Sequence, residues 1–125
     1  MIRSATYPSL EDRVIFVTGG GSGIGACIVE HFCAQRARVA FVDIQREAST
    51  ALVETLRARG LQAPTFIPCD LRDIAALRAA VAEAQARLGP IRVLVNNAAH
   101  DERHTIEAVT PEYWDDRFAV YLRHQ

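Results

Sequence analysis

The stretch that decides the fold is Thr18-Gly19-Gly20-Gly21-Ser22-Gly23-Ile24-Gly25. It follows an apolar run, Val14-Ile15-Phe16-Val17, that is typical of a buried parallel strand. It leads into apolar residues spaced four apart, Ile24, Ile28 and Phe32, and this spacing predicts a helix. A glycine-rich turn between a strand and a helix is the context in which a dinucleotide-binding turn occurs.

The glycines of this turn permit two things that other residues hinder. A tight turn needs backbone angles open mainly to glycine, and a pyrophosphate approaches the chain closely only where no Cβ intervenes. Ser22 stands at the N-cap position, so we expect its hydroxyl to serve the helix or a phosphate oxygen. Because the helix dipole also favours an anion here, we predict a dinucleotide site. The alternative is a glycine-rich loop without function.

Composition limits the classes of protein to which the chain can belong. Its 125 residues allow one domain, and 23% charged residues are ordinary for a globular protein. A net charge of −1 without a basic stripe argues against nucleic acid as a partner. No apolar run approaches the roughly 20 residues of a membrane span, and the first ten residues lack the apolar core of a signal peptide.

The cysteines and histidines show no metal-ligand spacing. Cys27, Cys33 and Cys69 are odd in number, and we interpret all three as small core residues of a cytoplasmic protein. The sequence therefore predicts no metal site.

Strand and helix patterns alternate along the chain. Strands are predicted at about 13–18, 38–43, 63–69 and 91–96, and helices at about 23–35, 47–59, 73–88 and from about 111 onward. This alternation predicts an α/β fold of Rossmann type, with a parallel sheet, helices on both faces and strand order 3-2-1-4. Residues 1–125 would form one NAD-binding domain.

Asp43 ends the second predicted strand, 24 residues after Gly19. An acidic residue at this distance is expected to accept hydrogen bonds from the adenosine ribose hydroxyls. The phosphate of NADP would stand against the same carboxylate, and two unit charges about 4 Å apart repel by roughly 4 kcal/mol at an effective dielectric of 20. The sequence therefore predicts NAD as the cofactor. Arg46 could swing toward such a phosphate, but we interpret it instead as a solvated residue of the first helical turn or as a partner of Asp43.

The glycine spacing, T-G-x-x-x-G-I-G, resembles the cofactor turn of the short-chain dehydrogenase/reductase family. The resemblance extends over nearly all of the chain. It includes Asn96-Asn97-Ala98-Ala99, which is similar to the family's N-N-A-G except at Ala99. There the resemblance implies that the asparagines brace the sheet and that the backbone lines the cofactor ribose.

Asp70-Leu71 follow the third predicted strand and allow two interpretations. From the residues alone, Asp70 is favoured as a cap of the third helix. The family resemblance implies instead that its carboxylate lies near the adenine amino group. The candidate cofactor-binding residues are Gly19, Gly21, Ser22, Gly23, Ile24, Gly25, Asp43, Ile44, Asp70, Leu71, Asn97, Ala98 and Ala99.

Further segments look like bacterial sugar dehydrogenases, in particular the NAD-dependent D-xylose 1-dehydrogenases. They are Tyr7-Pro8-Ser9-Leu10, Asp101-Glu102-Arg103-His104, and Tyr113-Trp114-Asp115-Asp116-Arg117 with Leu122-Arg123-His124. The alternative for the charged loop is a simply solvated segment. The resemblance implies hydride transfer between NAD and a sugar, or another alcohol or carbonyl substrate.

The catalytic residues of the family have no match in this chain. The resemblance implies a Ser, and a Tyr four residues before a Lys, beyond the fourth helix, whereas this sequence contains no Lys. Tyr121 also stands where the family has an Asn. We therefore expect a fold that is incomplete relative to the family and ends after the fourth helix, with no catalytic residue and no activity alone. A non-catalytic dinucleotide-binding module and a self-associating fragment are the alternatives.

The fourth predicted strand, at 91–96, would lie at the edge of the expected sheet with apolar side chains on both faces. Exposed apolar edges pair with other chains. The fourth helix would add an apolar patch from Trp114, Phe118, Val120 and Leu122. The sequence therefore predicts a homo-oligomer.

Overall fold

The computed structural model describes residues 5–100 and 102–125. The strands are β1 (Val14–Thr18), β2 (Arg38–Asp43), β3 (Thr65–Pro68) and β4 (Ile91–Asn96). The helices are α1 (Gly23–Ala34), α2 (Arg46–Ala58), α3 (Ile74–Leu88) and α4 (Pro111–Tyr121), with short 3-10 helices at Pro8–Leu10 and Ile106–Ala108. All strand pairs are parallel and the sheet order is β3-β2-β1-β4, so the predicted fold and strand order are confirmed.

Helices cover both faces of the sheet, as the alternation predicts. Ile15 and Val17 of β1 point to one face, where they pack with Val29 of α1 and Leu56 of α2. Phe16, between them, points to the other face. There it belongs to a cluster with residues of α3, which include Leu77, Ala80 and Ala84. The central strands are thus buried on both sides, which explains their continuous apolar sequences.

The buried face of α1 is one residue further on than the apolar residues that predicted the helix. Gly25, Val29 and Cys33 are its buried positions, whereas Ile24 is 76% exposed. The reason is that Gly25 approaches the end of β1, which sets the rotation of the helix about its axis. Cys27 consequently lies on the exposed face, so the prediction that it belongs to the core is wrong, while Cys33 and Cys69 are buried.

The start of α3 corrects one prediction. Asp73 caps this helix, since its carboxylate accepts a hydrogen bond from the Ala76 N–H at 2.9 Å. Asp70 lies three residues too early to reach the first helical turn and is therefore not the cap. At α4 the expected cap is present, because the Thr110 hydroxyl accepts from the Tyr113 N–H at 3.2 Å.

Two element boundaries differ from the sequence patterns for local reasons. β3 is shorter than predicted and pairs with β2 alone, and it ends at Pro68, whose missing N–H suits an edge strand. Gly89, at a φ of +100°, forms the C-cap of α3 in a conformation that favours glycine.

β4 forms the other edge of the sheet in the described part of the chain. Its side chains alternate between half-buried and exposed positions, and Leu94 is 57% exposed. The edge of β4 opposite β1 is thus unpaired among the described residues, and the strand that carries it is largely apolar. None of the described helices is long and apolar enough to cross a bilayer.

Leu56 offers a test of the packing of α2 on the sheet, because its side chain is fully buried. Leu56→Ala should lower the free energy of unfolding by about 2–5 kcal/mol, through lost apolar burial and the cavity left behind. Chemical denaturation followed by circular dichroism measures this loss. Leu122→Ala is the matched control, since Leu122 is 54% exposed and its truncation should change stability by less than about 0.5 kcal/mol. Equal losses would contradict this packing.

Candidate cofactor-binding site

A cavity of about 470 Å³ lies at the carboxyl ends of the strands. It opens beside the junction of β1 and β4, where the strand order reverses and ligands of open α/β sheets bind. Most of the predicted site residues line it, namely Gly19, Ser22, Ile24, Gly25, Asp43, Ile44, Asp70, Leu71, Asn97, Ala98 and Ala99. Gly21 and Gly23 are not among the lining residues.

The turn after β1 is packed so closely that side chains are excluded at Gly19 and Gly21. Gly19 has a φ of +67°, and a Cβ there would lie 2.7 Å from the Ala98 Cα. A Cβ on Gly21 would lie 2.2 Å from the Ser49 hydroxyl oxygen. Gly23 has open space around it and serves the turn through its φ of +55°. Gly21 and Gly23 therefore shape the turn without lining the cavity.

Gly25 makes the closest approach between α1 and the strand ends. A Cβ on this residue would lie 1.8 Å from the Gly19 carbonyl oxygen and 2.6 Å from the Asn97 Nδ2. The absence of a side chain brings the N-terminus of α1 up to the turn, where its dipole favours an anion.

Ser22 is the N-cap residue of α1, but its side chain makes no capping hydrogen bond. The predicted capping role of this hydroxyl is therefore absent. Instead the Gln45 Nε2 donates to the Ser22 Oγ at 3.4 Å. The first-turn amides thus lack a side-chain cap, which leaves their N–H groups free to donate hydrogen bonds to the oxygens of a phosphate.

Asp43 is nearly buried, at 9% exposure, and both carboxylate oxygens are held by the backbone. Oδ2 accepts from the Gly21 N–H at 2.9 Å, and Oδ1 accepts from the Gln45 N–H at 2.8 Å. These donors fix the carboxylate at the cavity wall. Arg46 is exposed and makes no ion pair with Asp43 within the described residues, so of its two interpretations the solvated one holds.

Asn97 ties the end of β4 to the end of β1. Its Nδ2 donates to the carbonyl oxygens of Thr18 at 3.2 Å and Gly19 at 2.9 Å. The Thr18 hydroxyl oxygen accepts from the Asn97 N–H at 3.0 Å and the Ala98 N–H at 3.1 Å. This bracing keeps Ala98 and Ala99 at the cavity.

Asp70 is half-exposed and forms an ion pair with Arg72. The Arg72 Nε donates to Oδ1 at 3.0 Å, and Nη2 donates to Oδ2 at 2.6 Å. These hydrogen bonds hold the pKa of the Asp70 carboxyl below its usual value, so the group is ionised at neutral pH. Two carboxylates, Asp43 and Asp70, thus stand at the same cavity, each with its own donors.

Sequence reasoning missed further lining residues, namely Val42, Gln45, Cys69, Arg72, His100 and Val120. Gln45 and Arg72 each follow a predicted carboxylate by two residues, and a turn after a strand end was the available signal. Val120 comes from α4, and no local pattern places that helix over the cavity.

The loop after β4 contacts α4 through a charged side chain, so this loop is not simply a solvated segment. Arg117 is only 14% exposed, and its Nη2 pairs with the Glu102 Oε2 at 3.0 Å, while Nη1 donates to the His100 carbonyl oxygen. The Tyr113 hydroxyl lies 2.7 Å from the His104 Nδ1. Asp101, also in this loop, lies outside the described residues.

Comparison with known proteins decides the family. The family model for short chain dehydrogenases matches residues 13–123. The chain belongs to the short-chain dehydrogenase family. This family consists of oxidoreductases that bind a nicotinamide dinucleotide, and the resemblance stated from the glycine turn is confirmed.

Sugar dehydrogenases are among the relatives. The chain is 59% identical to a probable galactose dehydrogenase of Rhizobium meliloti, over 97% of this chain and 47% of the relative. It is 46% identical to a D-xylose 1-dehydrogenase of Caulobacter vibrioides, with the same coverage of 97% and 47%. The chain thus spans about half the length of the curated relatives it matches.

Solved structures agree with the fold. A short-chain dehydrogenase/reductase mutant of Serratia marcescens superposes with a TM-score of 0.86 at 33% identity, covering 94% of this chain and 48% of that one. A blue fluorescent protein from a metagenomic library, solved in complex with NADPH, gives a TM-score of 0.83 at 37% identity, with 92% and 47% covered.

Gly25→Ala tests the close approach at the turn. The added methyl group has backbone oxygen as its nearest neighbour, so we expect the free energy of unfolding to fall by more than about 3 kcal/mol. Gly60→Ala is the control, because Gly60 has a φ of +76° but open space, which costs only about 1–2 kcal/mol. Denaturant titration compares the two variants. Equal stability of the two would contradict the contact.

Proposed function

We propose that this chain is the cofactor-binding half of an NAD-dependent oxidoreductase that acts on a sugar or a similar alcohol. The observation that carries the proposal is the Asp43 carboxylate, held by the Gly21 and Gln45 amides beside an uncapped helix N-terminus. One cavity thereby offers an acceptor for ribose hydroxyls and a site for a pyrophosphate.

The residues that line the cavity suit each part of a dinucleotide in turn. The turn from Gly19 to Gly25 would hold the pyrophosphate, because most of its glycines leave no room for a side chain and the N-terminus of α1 carries the positive end of the helix dipole. Asp43 and Ile44 would hold the adenosine ribose, and Asp70 and Leu71 the adenine. Asn97 to Ala99 would line the second ribose. Bound NAD supplies a hydride acceptor, while these residues bind and orient it.

The preference for NAD over NADP follows from the charge at Asp43. Each of its oxygens already accepts one backbone hydrogen bond and retains capacity for a hydroxyl donor. A 2′-phosphate would bring negative charge against a fixed, nearly buried carboxylate. Arg46 stands exposed in the first turn of α2 and is not held against this position.

A sugar is the proposed substrate class. Support comes from the relatives named as galactose and D-xylose dehydrogenases. The polar loop after β4 reaches the cavity at His100, and its Glu102 pairs with Arg117 of α4. This loop presents donors and acceptors suited to hydroxyl groups. We assign proton transfer to none of the residues of this chain.

A non-catalytic dinucleotide-binding role is the second candidate, favoured by the lack of any Lys in the sequence.

We further propose that the chain self-associates and resides in the cytoplasm. The free edge of β4 carries Leu94 at 57% exposure, and α4 exposes Trp114 and Phe118 at 57% and 44%. Pairing of two such edges across a two-fold axis would continue the sheet and cover apolar surface.

The cytoplasmic location is supported by three cysteines that are free thiols.

Asp43→Ala tests the cofactor preference. We expect the unmodified chain to bind NAD at least tenfold more tightly than NADP, and the variant to narrow this ratio, because the repelling carboxylate is gone. Isothermal titration calorimetry with both dinucleotides measures it. Asp115→Ala, on the exposed surface of α4, is the control and should keep the ratio. Equal affinity of the unmodified chain for both dinucleotides would refute the preference.

Light scattering at micromolar concentration tests self-association. We expect a dimer or a larger species, and Leu94→Asp should shift the population toward monomer by placing a charge on the exposed face of β4. Ala79→Asp, on the exposed surface of α3, is the control and should leave the oligomer intact. A stable monomer of the unmodified chain would defeat the proposal.

A further inference from the structure

A second cavity, of about 270 Å³, lies between α4 and the loop after β4, which spans residues 97–110. Its lining residues come from this loop and from residues 113–121 of α4. His100 lines this cavity as well as the larger one at the strand ends, so the two cavities adjoin at this residue. Pockets for drug-sized ligands measure roughly 300–1,000 Å³, and the smaller volume here suits a single small ring.

Two aromatic side chains supply an apolar wall of the second cavity. Trp114 and Phe118 lie one helical turn apart on α4, their ring centroids are 4.8 Å apart, and both rings remain partly exposed. The face of an aromatic ring is the negative part of its quadrupole and therefore attracts weakly positive hydrogen atoms. The C–H groups on one side of a sugar ring are such hydrogens, so this pair offers a surface on which a sugar ring stacks.

The same cavity holds hydrogen-bonding groups with unused capacity. The Glu102 Oε2 accepts from the Arg117 Nη2 at 3.0 Å, whereas Oε1 lies 3.7 Å from the His100 Nε2, which is too far for a hydrogen bond. Among the described residues Oε1 thus has no donor, and it remains available to a ligand hydroxyl. The Tyr113 hydroxyl, which lies 2.7 Å from the His104 Nδ1, retains a further position for a second hydrogen bond.

The positive charge in this cavity is already paired. Arg117 is the one arginine among the lining residues, and its side chain is largely buried. Its Nη2 pairs with Glu102, its Nη1 donates to the His100 carbonyl oxygen, and its guanidinium carbon lies 4.6 Å from the centroid of the Tyr113 ring. These contacts hold the guanidinium in place, so the exposed carboxylate of Glu102 is the charge that a ligand meets. An acidic ligand would be repelled by it.

We propose that the second cavity is the subsite that holds the ring of a neutral monosaccharide, with Glu102 as the acceptor that excludes acidic sugars. Trp114 and Phe118 form its stacking surface. The inference rests on the proposed function, in which the substrate is a sugar, and it names the residues that select that sugar. Contact between the two cavities at His100 puts the ring next to the part of the larger cavity that Asn97 to Ala99 line.

The fluorescence of Trp114 gives a direct test, because Trp114 is the only Trp in the sequence and it lines this cavity. D-galactose and D-galacturonate, which differ by a carboxylate, are each titrated into the full chain at constant ionic strength. We expect a saturable change with D-galactose, with a dissociation constant in the millimolar range, and binding of D-galacturonate that is at least about tenfold weaker. Glycerol at equal concentration is the solute control and should give no saturable change.

Glu102→Gln tests the assigned acceptor. This variant removes the repelling charge and releases the guanidinium of Arg117, so D-galacturonate should bind within about threefold of D-galactose or more tightly. Glu107→Gln is the matched control, since Glu107 is exposed in the same loop and does not line the cavity, and it should keep the tenfold ratio. Both side chains are exposed, so both variants should fold, which circular dichroism verifies.

Phe118→Ala tests the stacking surface. It removes one of the two rings and leaves Glu102 in place, so both sugars should bind more weakly by about the same factor, at least about threefold. The D-galactose titration is repeated on Leu94→Asp, so that burial of Trp114 between copies of the chain is not mistaken for the lack of a site.

Calorimetry with NAD separates the inference from the function on which it rests. If the chain binds neither NAD nor D-galactose, both fail. If it binds NAD, but neither the unmodified chain nor Leu94→Asp binds D-galactose, the inference alone is overturned. The inference is also overturned if both sugars bind equally, if glycerol gives the same change, or if folded Glu102→Gln keeps the tenfold ratio. A loss of the ratio in Glu107→Gln, or unchanged binding by folded Phe118→Ala, contradicts it as well.

Discussion

The close approach of Gly25 to the Gly19 carbonyl oxygen is the constraint on which the rest of the structure depends. A side chain at this position would overlap the strand end, so only glycine lets the first turn of α1 reach β1. That contact sets the helix rotation, which buries Val29 and Cys33 and turns Ile24 outward. It also places the positive end of the helix dipole at the cavity.

Around this contact the molecule fixes two carboxylates by different means. Asp43 is held by backbone amides of Gly21 and Gln45, so its position follows from the path of the main chain. Asp70 is held mainly by the guanidinium of Arg72, so its position depends on a side chain. Both are acceptors in a cavity whose third polar feature is a helix N-terminus, and this combination suits a ligand with hydroxyl, amino and phosphate groups.

α4 is joined to the cavity largely by polar contacts. Asp116 pairs with Arg72, and Arg117 reaches the loop after β4 through Glu102. Ala119 is its buried residue, whereas Trp114 and Phe118 stack on each other at 4.8 Å with much of their surface exposed. The described part of α4 thus leaves an aromatic pair largely exposed to solvent.

The sequence by itself determined the strand order, the helices on both faces and most of the residues around the cavity. Local patterns suffice for these, because buried strands, glycine turns and strand-end carboxylates are set by backbone geometry within a few residues. Only the tertiary structure decided which face of α1 is buried, which donor holds Asp70 and that Val120 lines the cavity. These depend on packing between elements, such as the pair of Arg72 with Asp116, and no local periodicity encodes a partner that lies 44 residues away.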